Sequence, residues 1–498
     1  MAPPVSADAM VETISSIAAA PSIAPPSKMA PGSISADAMV VDAASAIAQP
    51  NKMSCTDVPA ISLVSKQTVR PACPTSAPVG DLKLSVSDMP MLSCHYIQKG
   101  LFFPPPPPGV PTSSLVSSLA ASLSRALGVF PALAGRLVTL PDDGTIMIRC
   151  DSNTAAVEFR HAVAPLLSLR DFLVPDGDVP TRLTKELFPM DRTVSYDGHH
   201  QSLTSFQVTV LGGDGAVFIG VVANHAVVDG TSFWHFFNTW AGLSRGEPAV
   251  RDPPNFRRSF FGESAAVIRF PGGAGPAVTF DADAPLRERV LHFSAAAIRS
   301  SKRSPTAGTE QQSLCAHIWI AVTRARRTLL ADATTTFRMA VNCRHRLRPA
   351  ISPVYFGNAI QSVATTATVS ELASHGLGWA AARLHATVAA RDDTAIRLAA
   401  AEWEANPRCF PLGNPDGAAL TMGSSPRFPM YDGNDFGWGR AIAVRSGRAN
   451  KFDGKMSAFP GRDGDGSVDV EVCLAPDTMA CLLTDAEFLR YVSSSPAP

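Results

Sequence analysis

The spacing of apolar and polar positions sets out most of the elements of this chain. From about Val69 the patterning is that of a globular protein. "LKLSVSDMPMLSCHYIQKGLFF", Leu82 to Phe103, alternates as an edge or half-buried strand would. "SSLVSSLAASLSRALGVF", Ser113 to Phe130, places apolar residues at three- and four-residue spacing behind a serine cap, which predicts an amphipathic helix. "TIMIRC", "AAVEFRHAV", "SFQVTVL" and "GAVFIGVVAN" then read as strands, separated in places by helical patterns. The last, Gly215 to Asn224, is apolar on both faces and so is expected in the middle of a sheet. Further on, "RERVLHFSAAAIRSSKR" reads as a strand running into a helix. "EQQSLCAHIWIAVTRARRTL" reads as an amphipathic helix with Leu314, Ile318 and Val322 on one face, and "TFRMAVNCRHRLRP" as a strand ending in a basic cluster. Glu371 to Glu404 is long and helical in pattern. "KMSAFPGRDGDGSVDVEVCLAP" predicts a hairpin, with Val468, Val470 and Val472 on one side and the Gly/Asp run as the turn. Strands and helices mixed in this way indicate an α/β or α+β architecture.

Three stretches break the pattern. Pro104 to Pro108 is a polyproline run, read as a stiff surface loop rather than a ligand for a proline-binding domain. Phe270 to Pro285, "FPGGAGPAVTFDADAP", has no periodicity and suits an interdomain crossover. Residues 1–54 hold a near-repeat, "VSADAMV" and "ISADAMV", amid Ala, Ser and Pro. So few large apolar groups cannot offset the entropy of ordering, and a low-complexity tail is expected. The tail lacks arginine and an uninterrupted apolar stretch, so it does not resemble a targeting signal.

Composition narrows the function classes. The 498 residues are 46% hydrophobic and 17% charged, with a formal net charge of 0, which gives no support for nucleic acid or an acidic membrane as partner. No apolar run is long enough to span a bilayer. The nine cysteines are scattered, without a C-x-x-C pair, which implies reduced thiols, a cytoplasmic setting and no metal site.

The candidate chemistry lies at "FIGVVANHAVVDGTSFWHFFNTW", Phe218 to Trp240. The apolar strand stops at His225, and Asp229 stands just before a segment with helical spacing that ends near Gly246. Each residue alone has a plain structural explanation: Asp229 as a helix N-cap, His225 as a satisfied core histidine. Together with Gly230, which permits a tight turn, they gain weight. A histidine at the end of a central strand points to where ligands bind in α/β folds, and neutral imidazole suits proton removal near pH 7. A second anchor is "YDGNDFGWGR", Tyr431 to Arg440, a glycine-rich loop around Asp435, Phe436, Gly437, Trp438 and Gly439. Its "DFG" is not that of a protein kinase, since no glycine-rich phosphate loop or H-R-D loop lies upstream.

"NHAVVDG" and "DFGWG" together resemble the signatures of the BAHD family of plant acyl-CoA-dependent acyltransferases. "PALAGRL", "AHIW", "YFGN" and "DVEVCLAP" agree with it, and the resemblance covers roughly Val69 to Tyr491. It implies an α/β fold of two chloramphenicol-acetyltransferase-like domains, each a mixed sheet flanked by helices, with a channel between them. The boundaries expected are an extension over 1–54, a first domain over 55–265 with the HxxxD motif, a crossover over 266–288 and a second domain over 289–498 with the DFGWG loop. The resemblance further implies direct acyl transfer from acyl-CoA to a hydroxyl or amine of a small-molecule acceptor, with no tightly bound cofactor and a monomeric enzyme. His225 would be the general base. Asp229 would turn from the substrate and pair with Arg344, and the DFGWG loop would be structural. Lys302 and Arg303 match a region that meets the coenzyme's phosphates in relatives. The chain departs from the pattern where many members carry a Trp assigned to oxyanion binding: here Ser425 and Pro426 stand in that place, and Arg440 and Ala441 replace a common Lys-Pro. Two other family roles remain open, a non-catalytic partner in lipid elongation and a lyase on the same fold, although such a lyase lacks the motif histidine. A malonyl donor calls for a positioned cation, and the sequence alone assigns none; the many Phe suggest an apolar channel.

Overall fold

A computed structural model describes residues 60–494 apart from 73–78, 152–154, 263, 271–273, 302–308 and 463. The expected tail over 1–54 and the expected coenzyme contacts Lys302 and Arg303 lie outside the described residues. Fifteen strands follow in chain order: β1 (Ser62–Val69), β2 (Leu82–Lys83), β3 (Ile97–Phe103), β4 (Arg136–Thr139), β5 (Ile146–Arg149), β6 (Val157–Ala164), β7 (Thr204–Leu211), β8 (Val217–Ala223), β9 (Arg287–Phe293), β10 (Thr334–Asn342), β11 (Ile360–Thr368), β12 (Ala419–Met422), β13 (Ala443–Ser446), β14 (Lys455–Pro460) and β15 (Val468–Leu474).

They form two six-stranded sheets, in the orders β1-β6-β7-β8-β3-β13 and β11-β10-β12-β14-β15-β9, and a three-stranded sheet, β2-β5-β4. Both large sheets are mixed. In the first only β6 and β7 run parallel, and in the second β12 is parallel to both neighbours. β13 comes from late in the chain yet closes the edge of the first sheet, pairing Ala443–Ser446 with Phe102–Lys99 of β3. The second half therefore reaches back into the first.

β8 is buried along its whole length, as a doubly apolar run requires. Phe102, Phe172, Phe188 and Phe218 cover one side of it, and the helix Gly230–Ser244, with Phe236, Phe237 and Trp240, belongs to the core on the other. β8 leaves no room for a side chain at Gly100 of β3: a Cβ there would collide with the Phe218 ring and the Ile219 carbonyl, so only glycine fits.

Three expectations are corrected. Leu82–Phe103 is two strands separated by a 3-10 turn at Met89–Ser93, and β3 is an interior strand, paired on both sides. Its first residues, Ile97 to Lys99, border a cavity, and the rest of it is buried in the core. The helix Thr112–Val129 starts behind Pro111 in extended conformation and has no serine cap. Glu371–Glu404 is two helices, Val369–Ala389 and Asp393–Ala405. Gly376 kinks the first with φ 74°, and Asp392 caps the second by accepting from the Ala395 N–H. The hairpin β14–β15 forms as its pattern predicts, with Gly464 and Gly466 at positive φ in the turn. The polyproline run and the described part of 270–285 contain no helix or strand. No helix among the described residues is long and apolar enough to cross a membrane.

Candidate active site

β8 ends at Ala223, and the next residues turn sharply. The Asn224 carbonyl accepts from the Val227 and Val228 N–H groups, and its side-chain oxygen accepts from Ala226 N–H. This turn leaves His225 at the sheet's end, with its backbone N–H donating to the Ser195 hydroxyl at 3.1 Å and its carbonyl accepting from the Asn358 amide at 2.8 Å. With the backbone held from both sides, the imidazole lines a cavity of about 1110 Å³. The cavity walls come from both sheets, including Gln98 and Lys99 of β3, Met339 of β10, and Lys455 and Ser457 of β14.

Asp229 faces the other way. It caps the helix Gly230–Ser244 by accepting from the Ser232 N–H at 2.9 Å. Arg344, just beyond β10, donates to both its oxygens, at 2.6 and 3.0 Å, and the Ala359 N–H donates at 3.1 Å. The carboxylate is 0% exposed and Arg344 is 3% exposed. Arg344 also donates to the carbonyls of Tyr355 and Gly357, so the "YFGN" loop is fastened to the same pair.

A second buried acid supports the site. Asp88 accepts from the Asn358 backbone and side-chain amides at 2.8 and 3.0 Å, from Ser85, and from Arg258 at 3.2 Å. Asn358 thus links Asp88 to the His225 carbonyl. Nothing in the sequence separates Asp88 from an ordinary turn aspartate, because Arg258 and Asn358 lie 170 and 270 residues away.

Burial holds the His225 imidazole below the ordinary histidine range; nearby Lys455 acts in the same direction, while Asp229 and Asn358 pull the other way without offsetting it. The ring is therefore neutral at pH 7, and its Nδ1 has no partner among the described residues.

The DFGWG loop sits elsewhere. The Asp435 carboxylate accepts from the Gly437 and Gly439 N–H groups at 2.7 and 3.0 Å, closing the turn on itself. Gly437 and Gly439 adopt φ of 114° and 134°, which glycine tolerates. Phe436 packs edge-on against Phe103, Phe237 and Trp240, and Trp438 lies beside Phe103. Asp435–Gly439 contribute nothing to the cavity wall, whereas Ser424 and Ser425 do. The seven described cysteines are free thiols.

Residues 60–489 match the family model described as the Transferase family. The chain is 33% identical over 455 residues to the BAHD acyltransferase DCR of Arabidopsis thaliana, covering 86% of this chain and 92% of that one. It belongs to the BAHD acyltransferase family. Among solved structures, vinorine synthase superposes with a TM-score of 0.69 at 22% identity, covering 87% of this chain and 99% of that one. Fusarium graminearum TRI101, crystallised with coenzyme A and deoxynivalenol, superposes with a TM-score of 0.67 at 17% identity, covering 84% and 100%. At these identities the likeness is one of fold: this BAHD protein has the expected architecture of two mixed sheets flanked by helices with a channel between them.

Proposed function

We propose that this BAHD protein transfers an acyl group from acyl-CoA to a hydroxyl or amine of a small acceptor, with His225 as general base and no covalent acyl-enzyme. The observation that carries the proposal is the division of labour inside the motif. His225 stands neutral on the cavity wall, while both Asp229 oxygens are used by Arg344 and backbone donors.

The acceptor's proton passes to the imidazole as its oxygen or nitrogen attacks the thioester carbonyl. The tetrahedral oxyanion collapses, the C–S bond breaks, and the imidazolium returns its proton to the departing thiolate. A base placed in this way contributes about 10²–10⁴ in rate. Asp229 and Arg344 act as a clamp that ties the motif turn and helix to the Tyr355–Gly357 loop. Cys94, Cys343 and Cys473 are buried, and burial pushes the Cys94 and Cys343 thiols up to about 12 and that of Cys473 well above its usual value, so they are poor nucleophiles. Retention of His225 favours this reading over a lyase on the same fold.

The test is mass spectrometry of the purified protein incubated with single acyl-CoAs and a desalted metabolite extract. A product mass dependent on one acyl-CoA identifies the donor, and subtraction of the acyl mass gives the acceptor. Product formed without any acyl-CoA would overturn the proposal.

A further inference from the structure

Three lysine side chains reach the cavity wall: Lys99 on β3, Lys455 on β14, and Lys451 in the turn before β14. Strand register explains why they meet two acids. Lys455 lies opposite Cys473 of β15, and Cys473 lies opposite Glu288 of β9; directly opposed residues share a face. Glu471 is one pleat along on that same face, opposite Ser457. Val468, Val470 and Val472 turn the other way into the core, so the polar row of β15 faces the cavity and not water. Glu471 is 2% exposed and Glu288 5%.

The charges in this row do not close. Lys451 donates to Glu288 and lies 3.3 Å from Glu471, which also accepts from the Ser446 hydroxyl. Glu288, Glu471 and Cys473 place three donor atoms within 4.8 Å of one another, but the Lys451 ammonium already supplies the cation there. Lys99 and Lys455 have no hydrogen-bond or ion-pair partner among the described residues. The Lys99 ammonium lies over the Phe459 ring, 4.7 Å from its centroid, and attracts Glu471 only through space. The Lys455 ammonium occupies the space where a Cβ on Gly423 would stand. Three ammonium groups against two carboxylates leave one positive charge uncompensated. The thiols cannot balance it, since burial pushes Cys94 up to about 12 and Cys473 well above its usual value. Burial also lowers Lys99 to about 8 and holds Lys455 below the ordinary lysine range, as expected of ammonium groups lacking an anion.

We propose that Lys99 and Lys455 form an anion subsite in the acyl-transfer cavity, which takes a carboxylate carried by the acyl group or by the acceptor. The inference rests on the acyltransferase reading and deepens it by naming the substrate class. The cavity is acid-selective at one end, not uniformly apolar.

Two matched pairs test it: succinyl-CoA against butyryl-CoA as donor, and para-hydroxyphenylpropionate against its methyl ester as acceptor. Binding by calorimetry and product formation are both measured, on the full chain and on Lys99→Met, Lys455→Met and Gly423→Ala. The expected result is a preference of roughly 10- to 100-fold for the acid in one pair, which shows which substrate carries the carboxylate, and its collapse toward unity in the variants. Gly423→Ala keeps every charge and displaces only the Lys455 ammonium, so it separates loss of the subsite from loss of the fold. Equal handling of acid and neutral partner in both pairs overturns the proposal, as does a preference that survives in both lysine variants. Acid-selective binding without acyl transfer would overturn the acyltransferase reading and leave the anion subsite standing.

Discussion

Arg344 grips Asp229 through two hydrogen bonds, at 2.6 and 3.0 Å, and leaves the acid no oxygen for His225. The four-residue spacing of the two motif residues therefore does not describe a hydrogen-bonded pair. It places an imidazole on the cavity wall and a buried ion pair behind it.

Replacing Asp229 with Asn keeps the shape and removes the charge. Arg344 is then buried without a counter-ion, which costs about 3–5 kcal/mol of stability. Chemical denaturation should show that loss, and the folded fraction should keep turning over. An unchanged midpoint with a collapse in kcat would instead assign Asp229 to the chemistry.

The pH dependence follows from the direction of the His225 shift. Burial lowers its pKa, so the base form is present at neutral pH and is lost only as pH falls through a value below the ordinary 6.5. The acid limb of kcat/KM should therefore lie below 6.5. A limb above 6.5 would contradict a desolvated histidine base.

Phe436 touches the core and not the cavity. Phe436→Ala should cost about 3–5 kcal/mol, read as a lower melting temperature, with turnover per folded molecule retained. Loss of turnover at unchanged stability would give the DFGWG loop a role in catalysis.

Much of the fold was legible because the apolar pattern is strong where burial is complete. β8 is the plainest case: its unbroken apolar run matches a strand buried along its whole length. Asp229 is also the N-cap that its position before the helix suggests. Other features needed the third dimension. The polar row of β15, Glu471 and Cys473, has the alternation of a solvent face, yet it borders a cavity enclosed by the opposite sheet. Lys99 is hidden in the same way, since β3 is flanked on both sides and β13 arrives from late in the chain. The break after Ala389 was masked by good helix formers on both sides of it. Asp88 carries no local sign of the Arg258 and Asn358 partners that chain folding brings to it.

The most direct test of a base at His225 is acyl transfer by wild type and His225→Ala under the same donor and acceptor. The variant should bind coenzyme A and melt like the wild type, while product formation falls by about 10²–10⁴. Equal product formation by the two proteins would contradict a base at His225.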